Sequence, residues 1–165
     1  MTTIYTGDIS TLPDLALSTR QPWAHAIVNG WKDIENRKWN TRHRGLICIH
    51  ASAYNARNIA EDWQDFAGVI TDHPDLQPNH PAHDLVEQDM TFGAIIGVAR
   101  IVDATQRHSS PWFFGKYGFV LEDQQILAEP IPLKGALGLF EWRPRLAGIS
   151  PAAKTAPAGR QGSLF

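Results

Sequence analysis

Residues 17–50 read LSTRQPWAHAIVNGWKDIENRKWNTRHRGLICIH, and the fold is decided in this stretch. Leu15 to Ser18 reads as a short strand running into it. Gln21 to Gly30 then reads as a two-turn helix. Pro22 suits the first helical position, where its missing N–H costs nothing, and Gly30 suits the residue just past the end. Trp23, Ile27 and Val28 make an apolar stripe at i, i+4, i+5, while His25 and Asn29 fall on another face. Ile34 to Arg37 is predicted extended. Leu46 to His50 (LICIH) is apolar, β-branched and bounded by Gly45, the pattern of a buried strand.

Working outward, Asn55 to Phe66 is predicted helical. Ala67 to His83 carries three prolines and reads as a long loop. Gly93 to Asp103 (GAIIGVARIVD) is the strongest strand signal, with Gly97 as a bulge position. Phe119 to Leu127 and Ala136 to Trp142 are further strands, with a turn at Pro130, Pro132 and Gly135 between them. Residues 1–13 form an N-terminal extension, 14–142 the domain, and 143–165 a flexible tail rich in Pro, Ala, Gly, Arg and Ser. About five short strands with two short helices predict an α+β domain built on a small β-barrel with peripheral helices. Strand–helix alternation and a Gly-rich phosphate loop are both missing, which argues against a doubly wound parallel sheet.

Composition bounds the function. The chain has 165 residues, 43% hydrophobic and 19% charged, close to the averages of ordinary folded domains. One cysteine, Cys48, excludes an intrachain disulfide framework and fits a reducing compartment. No apolar run reaches the ~20 residues of a membrane span, and the N-terminus has no basic-then-apolar export pattern, so a soluble cytoplasmic protein is expected. The net charge of −2 hides a gradient. From Arg20 to Arg44 six basic residues stand against two acids, whereas Glu61 to Asp89 holds eight acids and no Lys or Arg. Segregation of this kind predicts a positive face on a nearly neutral molecule.

The ordered motifs resemble the signature of the ASCH (activating-signal-cointegrator homology) family of the PUA-like superfamily. The carriers are RQPW at Arg20–Trp23, G-x-K-x-x-E-x-R at Gly30, Lys32, Glu35 and Arg37, and W-x-T-x-x-R-G at Trp39, Thr41, Arg44 and Gly45. His50, Ala51 and Ser52, the GAIIGVARIVD strand, Trp112, Tyr117, Gly118 and the IPLKG turn ending at Lys134 and Gly135 extend the match over roughly residues 14 to 142. The resemblance implies a PUA-like barrel with a cleft lined by the Lys, Glu and Arg of the motif. It also implies a ligand among RNA, single-stranded nucleic acid or modified nucleobases. The family includes nucleic-acid binders, ribonucleases and small hydrolases that deacylate N4-acyl-cytidine.

The residue types fit that ligand class. On an extended segment Glu35 and Arg37 share a face, and a carboxylate between Lys32 and Arg37 orients both cations toward a phosphate or a polar base edge. Taken without the resemblance, the same trio reads first as a surface ion-pair cluster stabilising by ~1 kcal/mol or less. Trp23, Trp31, Trp39, Trp112, Phe113, Phe114 and Tyr117 supply aromatic faces, either for stacking bases or for the core. The candidate binding set is Gln21, Trp23, Lys32, Glu35, Arg37, Trp39, Arg42, Arg44, Tyr117 and Gly118. As an enzyme, the chain would use Lys32 and Glu35 in a metal-independent ribonuclease or a hydrolase of a modified nucleoside. The deacylating relatives carry a threonine nucleophile where Glu35 stands, and a carboxylate cannot replace an activated hydroxyl without a change of mechanism. His50 at a strand end is either a proton carrier or a satisfied core histidine.

His73, His80 and His83 match no zinc spacing, and no metal or cofactor is expected. Cys48 reads as a buried small hydrophobe. The last residues, QGSLF, place Gln161, Leu164 and Phe165 in the Q-x-x-L-F order of the peptide by which bacterial replication proteins dock on the sliding clamp. An adaptor reading with that clamp as partner is the third alternative.

Overall fold

The apolar LICIH run folds as the centre of a six-stranded sheet. The computed structural model of the chain describes residues 2–73, 76, 85, 87–146 and 154–155. Strands β1 (Leu15–Thr19), β2 (Ile34–Arg37), β3 (Gly45–Ala51), β5 (Ala94–Thr105), β6 (Tyr117–Pro132) and β7 (Leu139–Glu141) lie in the order β2-β6-β5-β3-β1-β7. β1 runs parallel to β3, and every other neighbour is antiparallel. The sheet curls into a half-barrel, an α+β architecture of the PUA-like kind. Short strands β4 (Thr91–Phe92) and β8 (Lys154–Thr155) pair separately.

The described residues form two α-helices: α1 (Trp23–Val28) covers the sheet, and α2 (Ile59–Asp72) shares a second core cluster with Ala26 of α1, Ile34 of β2 and Trp112. α1 buries Ala24, Ile27 and Val28 against Ile47, Ile49, Ala99 and Ile101 of the central strands. Its approach is close: a Cβ at Gly97 would sit 2.2 Å from the Gln125 carbonyl oxygen and 2.5 Å from Val28 Cγ1, so only glycine fits there. The register of β5 against β6 shifts between Ile95 and Gly97, as the bulge reading expected. Pro22 occupies the cap rather than the first helical position, after a cis Gln21–Pro22 peptide, and Gly30 ends the helical stretch at φ +77°.

α2 differs from expectation at both ends. Residues 55–58 form a turn in which the Asn55 side chain accepts the Arg57 N–H, and the helix runs on to Asp72. The apolar stripe explains the extension. Trp63, Phe66, Val69 and Ile70 are all buried in one cluster with Trp112, Met90 and Phe92, and that burial outweighs the weak helix propensity of Gly68. β6 likewise outruns its prediction and carries Pro130 and Pro132. The pairing with β5 skips residues 127–130, so Pro130 interrupts no ladder, and the turn moves to residues 133–138.

Residues 12–14 and 142–143 are tied together. Trp142 Nε1 donates to the Pro13 carbonyl at 2.7 Å, and Arg143 pairs with Asp14 and donates to the Leu12 carbonyl at 2.7 Å. Arg143–Leu146, assigned to the tail from sequence, forms a 3-10 turn on this face. Cys48 is buried, and burial pushes its thiol up to about 12, in line with an inert core position. Among the described residues no helix is long and apolar enough to cross a membrane, and no group of three metal-ligating side chains occurs. His80, His83, Gln161, Leu164 and Phe165 lie outside the described residues.

Candidate functional site

The curled sheet leaves a gap between the C-terminal end of β1 and the edge strand β2, and α2 roofs it. The result is a cleft of about 930 Å³. Its floor is the charged trio of the G-x-K-x-x-E-x-R motif. Lys32 is 2% exposed, and its Nζ donates to Glu35 Oε2 at 2.7 Å and to the Ile34 carbonyl. Arg37 approaches the other carboxylate oxygen, Nη2 to Oε1 at 3.2 Å, and the same Nη2 donates to the Ser18 carbonyl at 2.6 Å and meets Thr19 Oγ1 at 3.1 Å. These bonds lace β2 to β1 across the gap where main-chain pairing is absent. The trio is therefore both a clasp of the half-barrel and the base of its cleft.

Burial alone would push the Glu35 carboxyl up. The Lys32 and Arg37 charges and the hydrogen bonds from Lys32 and Thr19 outweigh it, and the group ends below the usual carboxylate range. Glu35 is thus an ionised acceptor, not a proton donor. Lys32 spends its donors on that carboxylate and on the Ile34 carbonyl. Arg37 keeps unspent capacity, since its buried Nε has no hydrogen-bond partner.

The walls come from three elements. Trp23, at the start of α1, stands with its ring centroid 5.9 Å from Lys32 Nζ and packs edge-on to Phe66 and Trp112. Asp62 of α2 takes a hydrogen bond from Trp23 and an ion pair from Arg20 at 3.0 Å; burial pushes the Asp62 carboxyl up against those two effects. Phe114, 56% exposed, also lines the cleft, on a turn held by Asn36, whose amide donates to the Trp112 carbonyl and accepts the Phe114 N–H. Two aromatic rings thus line a cleft with a polar floor.

α2 contributes Gln64, Asp65, Gly68, Val69 and Asp72 to the lining. The acidic stretch of the sequence therefore faces the basic one across the cleft. Arg20, Lys32 and Arg37 are met by Glu35, Asp65 and Asp72, three charges of each sign. The positive face expected from the charge gradient is not formed here.

Of the candidate binding set, Trp23, Lys32, Glu35 and Arg37 come together in the cleft, joined by Phe114 and His73 from outside that set. The other members of the set do not line it. Gln21 is buried and structural, its amide donating to the Thr91 carbonyl and accepting the His25 N–H. Trp39, partly buried against the core, packs edge-on to Phe119 at 5.1 Å. Arg42 is exposed on the loop between β2 and β3, and Arg44 donates to the Thr41 and His43 carbonyls of that loop and pairs with Asp103 at 3.6 Å. Tyr117, opposite Arg37 in the β2–β6 pairing, is half-buried beside Lys116. Gly118 is buried where a Cβ would strike Ile34 and Phe113 at 2.5–2.7 Å. Sequence reasoning missed the α2 wall, because 67–83 reads as a loop, and preferred Tyr117 to Phe114 within one aromatic cluster.

A family model of the ASCH domain matches residues 17–135, the span that contains the clasp, both helices and the cleft. The chain belongs to the ASCH family. It is similar to Activating signal cointegrator 1 of Homo sapiens, 51% identical over 124 residues, and to Activating signal cointegrator 1 of Mus musculus, 24% identical over 132 residues. Each alignment covers 72% of this chain and 20% of the relative, so the chain spans about a fifth of the proteins it matches. Two relatives of one name differ widely in identity here, and family membership rests on the domain match.

Proposed function

We propose that this ASCH domain binds RNA by admitting one nucleotide unit into the cleft, the base lying against Trp23 and Phe114 with its polar edge on the Lys32–Glu35–Arg37 floor. The observation that carries the reading is a buried cation–carboxylate–cation row at the bottom of a cleft walled by two aromatic rings. Stacking on an aromatic face is worth ~1–3 kcal/mol per base and works for any base, while a fixed row of donors and acceptors discriminates edges. The association of the ASCH family with RNA supports the same ligand class.

The balanced charge of the lining argues for recognition of a base over tracking of a phosphate backbone. Only Arg20 among the lining cations is largely exposed. The affinity for a short single-stranded RNA is therefore expected to fall gently with salt, with a log–log slope of about −1 to −2. Equal affinity of the wild type and a Lys32→Ala, Phe114→Ala double variant would refute the reading.

A hydrolase or ribonuclease reading requires Lys32 or Glu35 to carry a proton during turnover, and the ion pair between them opposes that role. Incubation with labelled RNA and with acyl-cytidines in chelator separates the two. Turnover above the Lys32→Ala background would favour the enzyme.

A further inference from the structure

Strand alternation puts the side chains of Ser18 and Thr19 on opposite faces of β1. Thr19 faces the cleft floor; Ser18 faces His50. The His50 ring is 1% exposed, with Nε2 2.8 Å from the Leu133 carbonyl oxygen and Nδ1 2.8 Å from Ser18 Oγ. A carbonyl only accepts, so Nε2 carries the ring proton, Nδ1 of the neutral ring is an acceptor, and the Ser18 hydroxyl donates to it. Ser18 is in turn the residue whose main-chain oxygen receives Arg37 Nη2 at 2.6 Å. One residue thus touches His50 with its side chain and the cleft's arginine with its backbone.

The pair has no slack. A Cβ at Gly135 would lie 2.3 Å from Ser18 Oγ and 2.8 Å from His50 Nδ1, so the main chain of the turn rests directly on both. Arg145 holds that turn down by donating to the Lys134 and Gly135 carbonyls at 2.8 and 3.0 Å. A nucleophile-and-base reading fails on this geometry. The turn lies on Oγ, the group behind the imidazole is a carbonyl and not a carboxylate, and the charge facing the ring is the Arg145 cation.

We propose that His50 is a positioning residue for the cleft: its neutral, Nε2-protonated ring fixes Ser18, and Ser18 fixes the Arg37 guanidinium on the floor. Its consequence for binding rests on the nucleotide reading above; its structural content does not. Protonation would turn Nδ1 into a donor, so the Ser18 hydroxyl would have to switch from donating to accepting and turn its hydrogen elsewhere beneath Gly135. The groups facing the ring are the Ser18 hydroxyl from β1, the Leu133 carbonyl from the turn, the Phe140 ring from β7 and Arg145 from the last turn. Burial pushes the His50 pKa below its ordinary value, the Leu133 hydrogen bond opposes this, and Arg145 adds to it.

The test follows the His50 ring nitrogens and the Arg37 side-chain N–H signals by NMR in the ligand-free protein, with binding of a short mixed-sequence single-stranded RNA measured alongside. The expected result is an Nε2–H tautomer at neutral pH and one shared midpoint for the His50 and Arg37 signals on acidification. His50→Asn keeps an acceptor for Ser18 without a titrating group and should abolish the shared response. Ser18→Ala should move the Arg37 signals at neutral pH and weaken RNA binding about five- to tenfold, the effect of one hydrogen bond. Should the ring not titrate before the protein unfolds, the Ser18→Ala shift decides. An Nδ1–H tautomer, or Arg37 signals indifferent to Ser18→Ala, overturns the proposal. RNA that fails to bind the wild type at any pH overturns the nucleotide reading instead, and the ligand-free signals still judge the positioning.

Discussion

Two basic regions stand within ten residues of each other in the sequence and have opposite fates. Lys32 and Arg37 are drawn into the gap between β1 and β2, where one carboxylate and three carbonyl or hydroxyl oxygens meet them. Arg42 and Arg44 stay on the loop beyond β2, and Arg44 spends its donors on that loop's own carbonyls. By charge count the second region is no poorer than the first. What separates them is burial: a cation removed from water must be paired and directed, and a directed cation is what a ligand can read.

The strongest way to break this contrast is to remove the carboxylate that the two cleft cations share. Glu35→Ala leaves Lys32 and Arg37 facing each other uncompensated, and unfolding free energy in denaturant should fall by about 3–5 kcal/mol. A loss below about 0.5 kcal/mol, the size expected at an ordinary surface position, would mean that the trio behaves like the loop.

Phe114→Ala sharpens the contrast on the ligand side. The ring is 56% exposed and lines the cleft, so its removal should leave stability within about 0.5 kcal/mol. Affinity for single-stranded RNA should fall by ~1–3 kcal/mol. Tyr117→Ala serves as the control: its ring lies outside the lining, and RNA affinity should hold.

Acid should act on the cleft through Glu35. The Glu35 carboxyl titrates below its ordinary range when folded, so its contribution is complete above the unfolded value of about 4.3 and is lost as pH falls toward the folded one. Asp62 has the opposite sign. Its carboxyl is raised by burial, so acidification favours the folded state there. Subtracting the Glu35→Gln unfolding profile from that of the wild type isolates the first. The difference should vanish at the acid end and open as pH rises through 4; a difference independent of pH would contradict the assignment.

The contrast also explains what the sequence could reveal. β2 was readable to the residue, because Ile34–Arg37 lies between a glycine-ended helix and a polar loop. β3 was readable because LICIH has no polar alternative. Pairing of Lys32, Glu35 and Arg37 followed from their spacing and the family motif. The cleft's second wall did not, since Gly68 and the prolines beyond it suggest a loop, and only the burial of Val69 and Ile70 under Trp112 carries α2 to Asp72. For the same reason the charge gradient misled. Opposite charges far apart in sequence look like two faces, and the fold closes them on one another. Phe114 and Tyr117 differ by three positions and are equally aromatic; the Asn36 hydrogen bonds that turn Phe114 outward come from another strand and leave no local trace.

The smallest expected effect bears on the loop itself. Arg44 is 43% exposed, and its partner Asp103 is 63% exposed at 3.6 Å, so screening leaves that pair worth only a few tenths of a kcal/mol. Arg42→Ala and Arg44→Ala should each change stability by less than about 0.5 kcal/mol. If a bound RNA reaches this loop at all, it does so through phosphates. Each substitution should then reduce the salt slope by at most about 1 and weaken all sequences alike, whereas a change at Arg37 should alter the ranking of bases. Loss of base preference in Arg44→Ala would place the reading edge on the loop and make the clasp a purely structural device.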